Sequence, residues 1–511
     1  MLLKLKEQIN TRYFLGLFLI YVAASSAIIR ANYYFNDDLV YATGPGRNVI
    51  LDGRPVAELV FNFFSLGLDH IFLDATPLSQ IITIFLFAVL SMLLLQSQHI
   101  KLSWGAIFCL IPVLINPYTV MWLQYKYLVI NVSVGFILSV LPFCFKNLKQ
   151  FPLIAAGCVF LAASNYQTAV GAYICLTIYE FMVALSSRQK LSKILKRTWS
   201  YTWPFVLGLG AHVILAKVLV AISSQGSNYG VVHGAFPAIQ ELPATFLKNT
   251  IFFFKACYLS LWRGTTLSWL IFYFFLFFLV VLGLRSWHSS RRARVKYWGL
   301  WRLAFILLSV PCLLASIACV QFVLVKPILA GNRSYYGIGI MLSLIMLFLH
   351  QYPYNKMCRV IFQGLTFVIV LQFGVFASAQ GNLLSMLKQW ELTVTTMLAV
   401  DMANHIKETG RNVVFFNKSM SYQFSKSPSY MVSTSKYPRL NQVAGYNATV
   451  WDYRRFYLYT GIRIAMPGAH DKIEGKKLHL VSENYIYRFE RTDDNIAVIT
   501  YFQEPPGSND K

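Results

Sequence analysis

Long apolar blocks separated by shorter polar ones run through the first three quarters of the chain. Apolar stretches lie at about 13–29, 79–95, 102–116, 127–145, 151–164, 170–185, 201–222, 267–284, 303–325, 335–350 and 359–380. Each approaches the roughly 20 residues that a helix needs to cross a bilayer, so the pattern predicts about 11 transmembrane helices. The stretches at 102–116 and 151–164 are short, and a re-entrant or merged pair would change the count. The first stretch follows Lys4 and Lys6 and ends near Ala23-Ala24-Ser25-Ser26-Ala27, which resembles a signal peptide. Its apolar run is longer than such a segment and many spans follow, so it reads as a retained helix. Two polar stretches are long, 30–79 and 223–266. The second contains Phe246, Ile251, Phe252, Phe254, Leu259 and Trp262, amphipathic material able to lie in a membrane interface.

After residue 380 the pattern changes. Residues 381–408 read as an amphipathic helix with Leu387, Trp390, Val394, Met397, Leu398 and Met402 on one face. Short β-like runs follow at 413–416, 430–432, 478–481, 485–487 and 496–499. The expected fold is therefore a polytopic α-helical membrane module over 1–380, with a small α/β domain over 381–511.

Composition agrees. Apolar residues make up 56% of the chain and charged residues 13%, against about 45–50% and about 25% in soluble domains. Mean hydropathy is +0.52. A soluble enzyme, a disordered chain and a disulfide scaffold are all excluded. Eight Cys occur with no CxxC pair, and the nine His show no metal-ligand spacing.

The net charge of +24 is unevenly spread. Up to residue 380 there are 29 Lys+Arg against 9 Asp+Glu; beyond it, 16 against 12. A basic excess among apolar spans reads as topology-setting loops, not as a nucleic-acid face. With the N-terminus in the cytoplasm, 19 basic residues fall inside and nine outside. Seven of the nine acids fall outside: Asp37, Asp38, Asp52, Glu58, Asp69, Asp74 and Glu241. Eleven spans then place residues 381–511 outside as well. Two long outer loops and an outer domain put the work at the outer face.

Candidate chemistry concentrates there. Asp37-Asp38 follows Tyr33-Tyr34-Phe35-Asn36 directly after the first span. Neighbours on a helix do not face one another, so one carboxylate can address a substrate while the other orients the turn. Burial beside apolar surface raises a carboxylate pKa, which suits a general base; the plainer role is a helix cap. Arg54, after Asp52-Gly53, offers a planar fork to a phosphate, or else snorkels from a surface turn. Lys126, Lys326 and Arg333 also lie in outer loops and can converge where a lipid phosphate sits; snorkelling is again the plainer role. Gln124, Tyr166 and Gln167 are candidate substrate-binding groups, with packing or capping as the alternative. No DxD triplet and no Gly-rich phosphate cradle occur. The donor is therefore expected to be membrane-bound and presented outside, not a cytoplasmic nucleotide sugar.

Many helices, an acidic first outer loop and an outer C-terminal domain resemble the GT-C glycosyltransferases. Within them, Asp37-Asp38, Gly53-Arg54, Tyr166-Gln167 and Arg333 before a late helix resemble the bacterial serotype-converting O-antigen glucosyltransferases, the Gtr-type group. The resemblance in topology covers 1–380. It implies an enzyme of the bacterial inner membrane with its active site and C-terminal domain facing the periplasm. Such an enzyme moves a hexose, glucose by this likeness, with inversion, from undecaprenyl phosphate to lipid-linked O-antigen or a related polysaccharide. By that likeness Asp37 is the base with Asp38 as partner or alternative. Arg333 and Arg54 hold the leaving phosphate with Lys126 or Lys326 in support, and membrane lipid surrounds the prenyl tail. A divalent cation, Mg or Mn, could supply part of that charge, and the sequence neither names nor excludes one. Val450-Trp451-Asp452-Tyr453 resembles the WWDYG motif of oligosaccharyltransferases, but Val450 and Arg454 break it, and it reads as a domain core. A flippase or transporter, or an O-antigen polymerase, remains as the alternative class. Transporters carry midplane charges and inverted repeats, and polymerases Arg-rich outer loops; neither mark is clear here.

Overall fold

The computed structural model describes residues 10–35, 37–44, 49–67, 73–187, 189–222, 238–257, 274, 276–285, 298–317, 337–351, 356–417, 424, 427–436, 450–466, 473, 475–484 and 486–502. Helix α1 (Thr11–Ala31) opens on Asn10, whose side chain accepts the Arg12 N–H at 3.0 Å. It closes on Asn32 at φ 44°, a left-handed conformation that Asn tolerates. In the first long loop lie α2 (Asp37–Thr43) and α3 (Pro55–Ser65), the latter started by Pro55 in its first turn. Then follow α4 (Leu78–Ser97), α5 (Trp104–Leu110), α6 (Val129–Val140), α7 (Phe151–Tyr166), α8 (Gly171–Leu185), α9 (Leu191–Ile222), α10 (Leu242–Cys257), α11 (Leu276–Arg285), α12 (Trp298–Ile317), α13 (Gly337–Gln351) and α14 (Lys356–Thr409).

Among the described residues, five helical stretches are long and apolar enough to cross a membrane: Thr11–Ala31, Leu78–Ser97, Phe151–Leu185, Leu191–Leu219 and Arg359–Thr409. Shorter apolar helices lie in the described parts of the remaining stretches of the sequence pattern. The segments at 151–164 and 170–185 join into one apolar run, interrupted by a tight turn at Gln167–Val170 where Tyr166 turns extended at φ −143°. The second long loop forms α10, with Phe246 and Ile251 exposed; Leu259 and Trp262 lie outside the described residues.

The segments at 359–380 and 381–408 are one helix. The 54 residues of α14 span about 80 Å, far beyond a hydrocarbon core of about 30 Å. Its first half packs along α1, where Gly381 lets the backbones touch: a Cβ there would stand 2.3 Å from the Ala27 carbonyl carbon. In its second half, Val394, Leu398 and Met402 are fully buried against Val414, Phe416, Phe489 and Ile499. This is the amphipathic face read from the sequence.

That second core carries a four-stranded sheet, β1 (Val414–Phe416), β2 (Leu478–Glu483), β3 (Tyr487–Thr492) and β4 (Ala497–Tyr501), in the order β1-β4-β3-β2. Strand β1 runs parallel to β4 and the other pairs are antiparallel. The run Tyr430-Met431-Val432, read as β-like, is instead part of α15 (Pro428–Lys436). Pro428 starts that helix and Met431 N–H bonds the Ser427 carbonyl at 3.0 Å; a three-residue apolar run does not distinguish helix from strand. Helix α16 (Val450–Thr460) lies between α14 and the first long loop.

Candidate functional site

Three consecutive aromatic residues carry the chain from α1 into α2, and each is held by a different part of the molecule. Tyr33 donates its hydroxyl to Glu391 Oε1 at 2.8 Å. Tyr34 donates to Asp74 Oδ2 at 2.5 Å, and the Lys126 ammonium stands 3.5 Å over its ring. Phe35 packs edge-on to Tyr125 at 5.2 Å, and its N–H donates to the Asp38 carboxylate at 3.2 Å. These contacts fix where α2 begins, and α2 begins with the acidic pair.

The two carboxylates have different surroundings. Asp38 is fully buried. Both its oxygens accept from the Lys126 N–H at 3.1 Å, and the Tyr127 N–H adds a longer bond at 3.4 Å. With Phe35, three backbone donors from two segments converge on one side chain. Burial dominates and pushes its pKa up to about 8, against the opposing effect of those backbone bonds. Asp37 is partly exposed, in the first turn of α2, where the helix N-terminus favours negative charge.

Lys126 is paired, 2.9 Å from Asp74 Oδ2. Asp74 also accepts from the Thr76 N–H at 3.0 Å and from the Thr76 hydroxyl. Burial acts to raise the Asp74 pKa, but the bonds from Thr76, Tyr34 and Lys126 outweigh it and hold the carboxyl below its ordinary value. Burial holds the Lys126 ammonium below its own ordinary value despite the pairing. Together Tyr34, Asp74 and Lys126 tie the first long loop to the segment before α6.

The fold brings three of the sequence candidates together. Arg54 Nε donates to Gln167 Oε1 at 3.3 Å, and its guanidinium lies 5.6 Å from the Tyr166 ring centre. Tyr166 in turn meets Trp122 edge-on at 5.3 Å. Gly53 makes the turn before Arg54 at φ +75°, so close to α9 that a Cβ would stand 2.8 Å from that of Ala216. Arg54 is thus presented at the break between α7 and α8. Gln124 is elsewhere, buried, its Oε1 accepting from Gln380 Nε2 on α14 at 3.1 Å. Arg333, Lys326 and Asp69 lie outside the described residues, as does the Asp52 side chain. Among the described residues, no three His, Cys, Asp or Glu side chains gather into a metal-binding group.

Glu391 and Arg455 were not singled out from the sequence. Asp452 was, but only as a polar neighbour in a domain core. It is fully buried and part of a charge network, with Arg455 Nη1 at 3.1 Å. The signal available was the run Asp452-Tyr453-Arg454-Arg455, three charged residues in one turn of helix.

A protein of Salmonella phage P22, described as an uncharacterized 55.3 kDa protein in the gtrB 5′ region, is 23% identical over 255 residues. That alignment covers 49% of this chain and 50% of the phage protein, so the match spans half of the relative's length. No solved structure matches. The pattern of the family described as glucosyl transferase GtrII matches residues 26–344, more than half of the chain and the whole first long loop. The chain belongs to the GtrII glucosyl transferase family.

Proposed function

We propose that this protein is a membrane glycosyltransferase that moves a hexose, glucose, from undecaprenyl phosphate to O-antigen or a related surface polysaccharide. In this reading the chain crosses the bacterial inner membrane about 11 times, and the first outer loop and residues 381–511 face the periplasm. The observation that carries it is the divided acidic pair, inside the region that matches the glucosyl transferase family. Asp38, enclosed by backbone N–H groups, holds the loop. Asp37, partly exposed at a helix N-terminus, is the carboxylate able to reach an acceptor hydroxyl.

The acceptor oxygen attacks the sugar's anomeric carbon with inversion while Asp37 takes its proton. The glycosyl–phosphate bond breaks, and the phosphate leaves on the prenyl lipid. In this reading Arg54, steadied by Gln167 and Tyr166, meets that phosphate. A cation aimed at developing charge is worth several kcal/mol when water is excluded. Arg333 and Lys326 join this role on sequence alone. Lys126, paired with Asp74, serves by bracing the loop.

The test uses the purified chain in lipid nanodiscs with labelled undecaprenyl-phosphate glucose and a lipid-linked O-antigen acceptor. A labelled glycosidic bond is expected, and Asp37→Asn, nearly isosteric, should lower its rate by about 10²–10⁴-fold with donor binding retained. Lipid movement in vesicles without a new glycosidic bond would support the transporter reading instead.

A further inference from the structure

A group of buried charges joins the start of the first outer loop to residues far along the chain. Arg455 on α16 stands 3.1 Å from Glu391 Oε1 on α14, 3.1 Å from Asp452 Oδ1, and within 3.4 Å of the Tyr33 hydroxyl. The arginine side chain is 3% exposed and both carboxylates 0%. Beside it, Arg454 Nη1 donates at 3.0 Å to Thr43 Oγ1, the last residue of α2. Helix α16 therefore holds the first outer loop twice, at Tyr33 before α2 and at Thr43 at its end. Asp37 lies between the two points.

Stability is a poor reason for such a group. Burying two acids and one guanidinium costs desolvation that their attraction rarely repays, and an apolar set of the same volume often serves as well. Nor are its polar atoms all satisfied: among the described residues, Glu391 Oε2, Arg455 Nε and the Tyr459 hydroxyl are buried with no hydrogen-bond partner. What a buried, directional set of charges does well is fix one geometry among alternatives. Here the fixed element is the backbone that leads from Tyr33 into α2. Glu391, Asp452 and Arg455 all lie beyond residue 344, where the family match ends.

We propose that Arg455 is a positioning residue for glycosyl transfer, which through Tyr33 and Glu391 fixes α2 so that Asp37 addresses the acceptor. Helix α16 is then a structural part of the site and not an accessory of the C-terminal sheet. This rests on the reading of Asp37 as base.

The experiment measures kcat and donor KM for the full chain in nanodiscs, with thermal melting as the control for folding. Arg455→Lys keeps the charge and loses the fork. It should lower kcat by about 10²-fold, the scale of an ångström of misplacement, with donor KM within about threefold of the parent. Tyr33→Phe removes one hydroxyl and keeps the ring, so it reports even if the arginine variant does not fold. It should lower kcat by about tenfold at an unchanged melting temperature, on the same scale of misplacement. In an Asp37→Asn background neither substitution should lower the residual rate by more than about twofold, because both act through that carboxylate. Normal kcat in folded Arg455→Lys and Tyr33→Phe, or a full multiplicative loss in the Asp37→Asn background, overturns the proposal. Normal transfer by Asp37→Asn alone overturns the assignment of the base instead, so the two failures are told apart.

Discussion

Two buried carboxylates near opposite ends of the helical body show how the same group is put to different uses. Glu180, on α8 toward the end rich in Lys and Arg, is met by Lys146 at 2.5 Å and by Arg197 at 3.0 Å. Arg302 closes that end by donating to the carbonyls of Leu185, Ser187 and Gln189. The basic excess there is partly structural, neutralising an acid and capping the end of a helix. Asp38, in the acid-rich loop, is enclosed by backbone N–H groups, and the Lys126 ammonium acts on it only at a distance. Charge satisfies the first carboxylate and main-chain dipoles the second. Lys126 is engaged with Asp74, and Arg54, farther along the same loop, with Gln167 and Tyr166. Asp37 sits beside a braced neighbour and keeps access to solvent.

This contrast can be broken most forcefully at the basic end. Glu180→Ala leaves the ammonium of Lys146, 7% exposed, without its partner. Loss of one member of a buried pair costs roughly 3–5 kcal/mol. Melting in detergent should fall accordingly, while turnover per folded molecule stays near the parent value. A large loss of turnover at normal stability would mean that this end takes part in transfer.

A smaller effect is expected at Asp38. Asp38→Asn keeps one acceptor oxygen for the converging N–H groups and should cost about 1–3 kcal/mol, the scale of an unsatisfied buried group. Its pH dependence is more telling. The folded pKa, near 8, lies above the unfolded value of 3.8. The folded state therefore holds the proton more tightly, and this residue's contribution to stability is complete below about pH 4 and is lost as pH rises through 8. Melting curves between pH 5 and 8.5 should show that decline in the parent and not in Asp38→Asn. Equal slopes in both would show that Asp38 titrates as an ordinary carboxylate.

The mildest change sharpens the role of Arg54. Arg54→Lys keeps a cation but loses the planar fork and its fit against Tyr166. Donor KM should rise by about tenfold, equivalent to about 1.4 kcal/mol, with kcat within a few-fold of the parent. An unchanged KM would remove Arg54 from the donor site.

Much of this molecule could be read from residue order. The apolar stretches became helices because their backbone polar groups are satisfied within each segment, and no distant partner is needed. The face of Leu387, Val394, Leu398 and Met402 follows from helical periodicity in the same way, as do the acidic pair at a loop start and the turn at Gly53-Arg54. Tyr430-Met431-Val432 failed because three residues carry too little periodic signal. The continuity of α14 through residue 381 also escaped, because it depends on how closely α1 approaches it.

The partition of labour within the site was invisible for a similar reason. Asp37 and Asp38 are adjacent and chemically identical; their difference arises from Lys126 and Tyr127, some ninety residues away, whose backbone N–H groups point at one and not the other. Tyr33 reads in sequence as one more interfacial aromatic, and its bond to Glu391 spans 358 positions. Local order determined which residues are apolar, which segments are helical and where acid and base accumulate, since these follow from the chemistry of near neighbours. Tertiary structure alone decided which carboxylate is enclosed, which cations are engaged and that α16 reaches back to the first loop. Hydrogen bonds and ion pairs depend on distances of a few ångströms, and only the folded chain brings residues so far apart in sequence within that range.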